Sequence, residues 1–142
     1  MIMNQEEIKK KLPHREPMLL LDTVSELIPE SSITTNTFIN PDWDIFRGHF
    51  PAQPVMPGVL LTECMAQAAA LLLMEIPENR DRLPLLFQIQ RMRFIRAVYP
   101  GDTLTTSAVL ISSPGSQLYE FSVSSAVCEK KAVSGSITLI LK

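Results

Sequence analysis

From Pro57 to Met74 the chain reads P-G-V-L-L-T-E-C-M-A-Q-A-A-A-L-L-L-M, and only Thr62, Glu63 and Gln67 interrupt its small and apolar residues. Pro57 suits a helix's first turn, where no N–H is needed, and Pro77 marks the point where the helix must have ended. About 18 residues at 1.5 Å each give a rod of roughly 27 Å. A helix lying on a surface shows a broad polar face, and this one has none. It must be buried nearly all round, which requires a sheet that curls about it.

The remaining segments supply such a sheet. Residues 22–28 and 32–39 form an expected hairpin about the turn at 29–31, the second strand being dense in Ile33, Thr34, Thr35, Thr37 and Ile39. Residues 85–96 read as a strand whose apolar parity slips between Ile89 and Met92, the mark of a β-bulge. Strands follow over 103–111, 118–128 and 133–141, with turns expected at 100–102, 114–115 and 129–131. A short helix over 5–11 precedes them, with Asn4 as its cap and Glu7 in the capping-box position. Residues 78–84 read as a polar surface loop. Residues 40–57 hold four prolines but also Trp43, Phe46, Phe50 and Met56, which predicts an ordered, packed loop. The expectation is one α+β domain over 1–142, an antiparallel sheet wrapped around one long central helix.

Composition excludes several classes. A formal charge of -2 and a pI near 5.7 argue against a general nucleic-acid binder. The longest apolar run, 68–74, is far too short to span a membrane, and the N-terminus lacks the pattern of a secretory signal. Cys64 and Cys128 need not pair, so a reducing cytoplasm is expected. His14 and His49 lie far apart, without paired cysteines or a His-x-x-x-His spacing, and no metal or other cofactor is expected.

Two side chains stand out. His49, in the proline-rich loop, either holds a turn through a backbone carbonyl or acts as a base near neutral pH. Glu63 interrupts an apolar helix, and an unpaired ion there costs several kcal/mol to bury. It sits at a subunit seam, pairs with an arginine, or keeps a proton to donate, since desolvation favours the neutral acid. The two lie 14 residues apart, so the fold or a partner subunit must bring them together. The N–H groups of Gly58 and Val59 open the helix; they either bind a carbonyl oxygen or are an ordinary helix start. Gln67, one turn after Glu63, orients a polar group or is a satisfied buried amide. Cys64 reads as core, His14 as structural, and Arg91, Arg93 and Arg96 as a basic patch or a solvated strand face.

Three blocks carry a resemblance: L-P-H-R-E-P-M-L-L-L-D at 12–22, G-H-F-P-A-Q-P-V-M-P-G-V-L-L-T-E-C-M-A-Q at 48–67, and R-F-I-R-A-V-Y-P-G-D at 93–102. They strongly resemble the β-hydroxyacyl-acyl-carrier-protein dehydratases of bacterial fatty acid synthesis, the FabZ type. The resemblance implies a hot-dog fold and a homodimer, often three dimers as a hexamer, acting on an acyl carrier protein thioester without a cofactor. It implies that His49 of one subunit works with Glu63 of the other, with the amide of Gly58 or Val59 on the thioester carbonyl. Glutamate at 63 matches the FabZ type, where the FabA type carries aspartate.

The chain departs from the family pattern after the helix. Phe87, Gln88 and Gln90 stand where an alanine-glycine pair and an acid are usual, and Ile95 replaces a common lysine. These changes bear on acyl length and carrier docking. The expected reaction is dehydration of a (3R)-3-hydroxyacyl carrier protein to the trans-2-enoyl product. A hot-dog thioesterase and a non-catalytic acyl-binding subunit are the alternatives.

Overall fold

In the computed structural model, which describes residues 1–142, a short helix α1 (Gln5–Lys9) precedes the long helix α2 (Gly58–Met74). Six strands make one sheet: β1 (Thr23–Ile28), β2 (Ser32–Phe38), β3 (Pro84–Phe94), β4 (Thr103–Gly115), β5 (Leu118–Val127) and β6 (Lys130–Leu141). Their spatial order is β1-β2-β4-β5-β6-β3, with every pair antiparallel. The sheet packs on α2 through β2, β3, β4, β5 and β6. Thirteen of the 17 residues of α2 are buried, as its apolar circumference demands. The four that are not, Gly58, Val59, Leu60 and Glu63, all lie in its first two turns.

Local chemistry sets the element ends. The Asn4 side chain accepts from the Glu7 N–H at 2.9 Å and the Glu7 carboxylate accepts from the Asn4 N–H at 3.2 Å, completing the capping box. The helix behind it stops at Lys9, two residues short of the expected end, with Lys10 as its cap. Pro57 sits one position earlier than expected, at the N-cap of α2, where its carbonyl accepts from Leu60 and Leu61. The loop before it packs as anticipated: Phe46 and Met56 are buried, and Trp43 stacks on Phe46 at 6.3 Å.

Three boundaries differ from the sequence reading. The segment after α2 is not wholly a surface loop. It forms a 3₁₀ turn (Pro77–Asn79) whose buried Asn79 donates from Nδ2 to the Leu73 carbonyl at 2.8 Å, a second bond on an oxygen that also accepts from the Ile76 N–H at 3.1 Å, tying the turn to the end of α2. β4 runs through the expected turn at 114–115; Pro114 is tolerated because the ladder is irregular between Ser112 and Gly115, and the reversal falls at residues 116–117. The last turn is Cys128–Glu129 rather than 129–131, with φ of 50° and 65°, and Lys130 and Lys131 already pair with Val127 and Ala126. This is the left-handed geometry of a two-residue hairpin turn.

β3 carries the expected bulge, where its register shifts between Gln90 and Arg93 and Arg91 takes φ of 53°. A second shift, between Leu86 and Gln88, makes Phe87 an extra residue. Gly135 on β6 accommodates the first bulge, since a Cβ there would lie 2.9 Å from the Met92 Cα and 2.8 Å from its sulfur.

Candidate active site

His49 sits in a closed loop of its own making. Its carbonyl accepts from the Val55 N–H at 2.9 Å, while its Nδ1 lies 2.8 Å from the Val55 carbonyl. A carbonyl can only accept, so Nδ1 carries the proton and Nε2 keeps a free lone pair. The ring also stacks on Phe50 at 4.2 Å, and the Phe50 and Gln53 backbones bond each other across the loop. The turn-holding and base readings of His49 are therefore compatible: the bond that holds the loop also fixes the tautomer.

Glu63 points from the second turn of α2 with a quarter of its side chain exposed. Gln67, one turn on, is fully buried and completely used. Its Oε1 accepts from the Leu20 N–H at 2.9 Å, and its Nε2 donates to the Met18 carbonyl at 2.7 Å and to Glu63 Oε2 at 2.8 Å. Thus Gln67 is both a satisfied amide and the group that orients Glu63. No arginine pairs with Glu63 within the chain.

His14, read as structural, belongs to this group. Its Nε2 lies 3.7 Å from Glu63 Oε2, and its Nδ1 is buried without a partner. Burial pulls the imidazole below its ordinary pKa more strongly than the Glu63 carboxylate raises it, and Arg15 lowers it further. Arg15 shapes the loop by donating to the carbonyls of Lys9, Leu12 and His14 at 2.6–2.9 Å. The signal for His14 was its place in the first of the three quoted blocks, beside an arginine and two prolines.

A cavity of about 160 Å³ opens beside this pair, lined by His14, Glu63, Ala66, Ala70, Leu86 and Leu139 among others. One wall is the Glu63 face of α2, where alanines at 66 and 70 leave room that larger side chains would fill. Phe87 and Gln88 are exposed and take no part in this wall.

At the start of α2, the N–H groups of Gly58 and Val59 have no partner, and Val59 is 77 % exposed. The Phe94 ring leans over this end. A Cβ on Gly58 would meet it at 3.0–3.3 Å, so glycine leaves a polar notch roofed by an aromatic edge. Burial pushes the Cys64 thiol up to about 11 against the opposing contacts with Thr37 and Thr106, the setting of a core residue rather than a nucleophile. Arg91, Arg93 and Arg96 are exposed and form no ion pair. No hydrogen bond or ion pair joins His49 to Glu63 within one chain. The groups form two separate clusters: His49 in its loop, and Glu63 with Gln67 and His14.

A family model described as a FabA-like domain matches residues 12–134. The chain is 37 % identical over 137 residues to a 3-hydroxyacyl-[acyl-carrier-protein] dehydratase FabZ from Ruminiclostridium cellulolyticum, covering 96 % of this chain and 95 % of that one. It is 44 % identical over 115 residues to one from Clostridium perfringens (81 % and 82 % covered). One from Roseiflexus castenholzii is 42 % identical over 103 residues, 72 % of each chain. Among solved structures, a chain of the dehydratase heterocomplex ApeI:P from Xenorhabdus doucetiae superposes with a TM-score of 0.78 at 20 % identity, covering 95 % of this chain and 90 % of that one. The shared architecture is the hot-dog fold.

Proposed function

The chain belongs to the FabA-like domain family, and from that premise we propose that it removes water from (3R)-3-hydroxyacyl carrier protein to give the trans-2-enoyl thioester in fatty acid synthesis. The enzyme is a 3-hydroxyacyl-[acyl-carrier-protein] dehydratase, and residues 1–142 act as one domain. The observation that carries the mechanism is the pair of half-sites. His49 offers a free Nε2 and Glu63 a free Oε1, and neither reaches the other within its own chain.

A second copy completes the site. The sheet leaves β3 bare along its outer side, with Leu85, Leu86, Phe87, Ile89 and Phe94 exposed. Pairing two such edges buries them and sets the His49 loop of one copy beside α2 of the other. The β-hydroxyacyl chain lies in the cavity between α2 and β3, its thioester carbonyl toward the free amides at the start of α2. Those amides hold negative charge as it builds on the carbonyl oxygen. His49 Nε2 takes the α-proton, and the C–H electron pair becomes the new Cα=Cβ bond. The Cβ–O bond breaks, and the proton on Glu63 Oε1 passes to the departing hydroxyl as water. No step calls for a metal or cofactor. Arg91, Arg93 and Arg96 offer an unpaired cationic surface for the carrier protein. No helix is long and apolar enough to cross a membrane, and two unpaired cysteines suit a reducing compartment, so we assign the enzyme to the cytoplasm.

The test is the mass of a 3-hydroxyacyl carrier protein after incubation. Loss of one water supports dehydration, release of the carrier thiol means a thioesterase, and no change means a binding module. His49→Ala and Glu63→Gln should each lower turnover by about 10² to 10⁴ while leaving the dimer intact. Wild-type turnover in either variant would overturn the residue assignment.

A further inference from the structure

Two nitrogens converge on one oxygen of Glu63. Gln67 Nε2 donates to Oε2 at 2.8 Å, and His14 Nε2 stands 3.7 Å from the same atom; Oε1 has no partner. One carboxyl oxygen is thus anchored by Gln67 with His14 nearby, while the other is unpartnered on a residue that lines the cavity. Gln67 cannot ionise, but His14 can. The ionisable surroundings of the pair are few. The loop adds Arg15, α2 adds only Glu63 itself beside Ala66 and Ala70, and the walls from β3 and β6 are Pro84, Leu85, Leu86 and Leu139. The second copy's His49 joins them in the site proposed above.

We propose that His14 is a positioning residue that acts through its charge: as a neutral imidazole it seats Glu63 Oε2 without locking the carboxylate, leaving Oε1 free to carry the proton given to the leaving hydroxyl. The inference rests on the dehydratase reading. A cation in the same place would pair with Glu63 as the anion, and the proton donor would be lost. The half-buried setting suits this role. Burial and Arg15 both work against a charge on His14, and its buried Nδ1 has no acceptor that would stabilise one. His14 does not exchange a proton with substrate; it sets which form of Glu63 the substrate meets.

The pH profile of kcat separates this role from packing. In the forward reaction, the alkaline limb reports loss of the donor's proton. His14→Lys places a permanent cation beside Oε2 and should move that limb acidward by about one to three pH units. His14→Gln restores a neutral donor; it should keep most of the turnover and the wild-type limb. His14→Leu keeps the bulk but no donor, and should lower kcat with KM nearly held. A wild-type limb in the Lys variant would overturn the proposal. So would a Gln variant as impaired as the Leu variant, and that comparison stands even if the Lys variant does not fold. Wild-type protein that removes no water from a 3-hydroxyacyl carrier protein would instead sink the dehydratase reading, so the two failures are distinguishable.

Discussion

The two edges of the sheet are built to opposite specifications. β1 has six residues, one register shift and a charge at Glu26. Its outer side is covered by the chain's own start: the Ile2 N–H donates to the Val24 carbonyl at 2.7 Å and the Val24 N–H to the Met3 carbonyl at 3.0 Å. β3 has 11 residues, and no backbone hydrogen bond reaches its outer side. Its exposed side chains include Leu85, Leu86, Phe87, Ile89 and Phe94. Edges are ordinarily shortened, charged or covered, because a long bare strand pairs with whatever presents itself. One edge of this molecule follows that rule and the other breaks it. The broken edge is the one beside Glu63 and the cavity, which the proposed mechanism needs a second copy to complete. An unprotected edge beside an incomplete site is what a chain needs if its second copy is to finish the chemistry.

The largest expected effect comes from making β3 resemble β1. Ile89 lies near the middle of β3, opposite Ile137, and is 47 % exposed. Ile89→Lys sets like charges against each other across a two-fold seam. The variant should sediment as a monomer and lose at least about 10² in turnover, as removal of an acid–base group would. The matched change on the other edge is Ile28→Lys, at a residue 60 % exposed. It should leave assembly and turnover alone and shift stability by no more than about 0.5 kcal/mol. A dimeric, active Ile89→Lys protein would move the seam elsewhere.

The sequence makes this architecture legible because burial leaves marks at short range. The missing polar face of α2 demanded a wrapping sheet, and the parity slip between Ile89 and Met92 located a bulge. The proposed acid–base pair stood out because Glu63 interrupts an apolar helix and His49 sits among prolines. What escaped depends on contacts distant in sequence. The role of Gln67 was legible but its partner Leu20, 47 residues back, was not, and His14 meets Glu63 across a similar separation. Phe94 bears on Gly58 from another element, so nothing local marked either. Turn positions failed for a different reason. Pro114 and Gly115 are strong turn residues, but a ladder irregularity lets β4 carry them; Cys128 and Glu129 are poor ones held left-handed by the hairpin's register.

A smaller effect should follow from disturbing the support under the bare edge. The bulge at Arg91 and Met92 sits over Gly135, where a Cβ would come 2.9 Å from the Met92 backbone. Backbone cannot yield as a flexible side-chain tip can. Gly135→Ala should therefore cost about 1–3 kcal/mol by overpacking. Because the strain falls on β3, the dimer dissociation constant should rise along with the loss seen in thermal melts. The shift in β1, between Val24 and Glu26, rests on Thr34 and Thr35 and needs no such glycine. A Gly135→Ala protein with weakened melting but unchanged dimerisation would detach the bulge from the seam.

The smallest change tests whether the edge's role is separable from stability at large. Cys128 and Glu129 hold φ of 50° and 65° in the β5–β6 turn, a region that disfavours both side chains by about 1–2 kcal/mol per residue. Asn-Gly is the pair this turn geometry prefers. The greater freedom of glycine in the unfolded chain offsets part of the gain. Cys128→Asn with Glu129→Gly should therefore raise stability by about 1 kcal/mol, or roughly 2–4 °C in Tm for a chain of this size. The turn lies at one end of β6, and neither residue belongs to β3. The dimer dissociation constant and turnover should stay at wild-type values while the melt moves. A dissociation constant that tracks Tm would mean that assembly follows global stability, and the contrast between the two edges would lose its force.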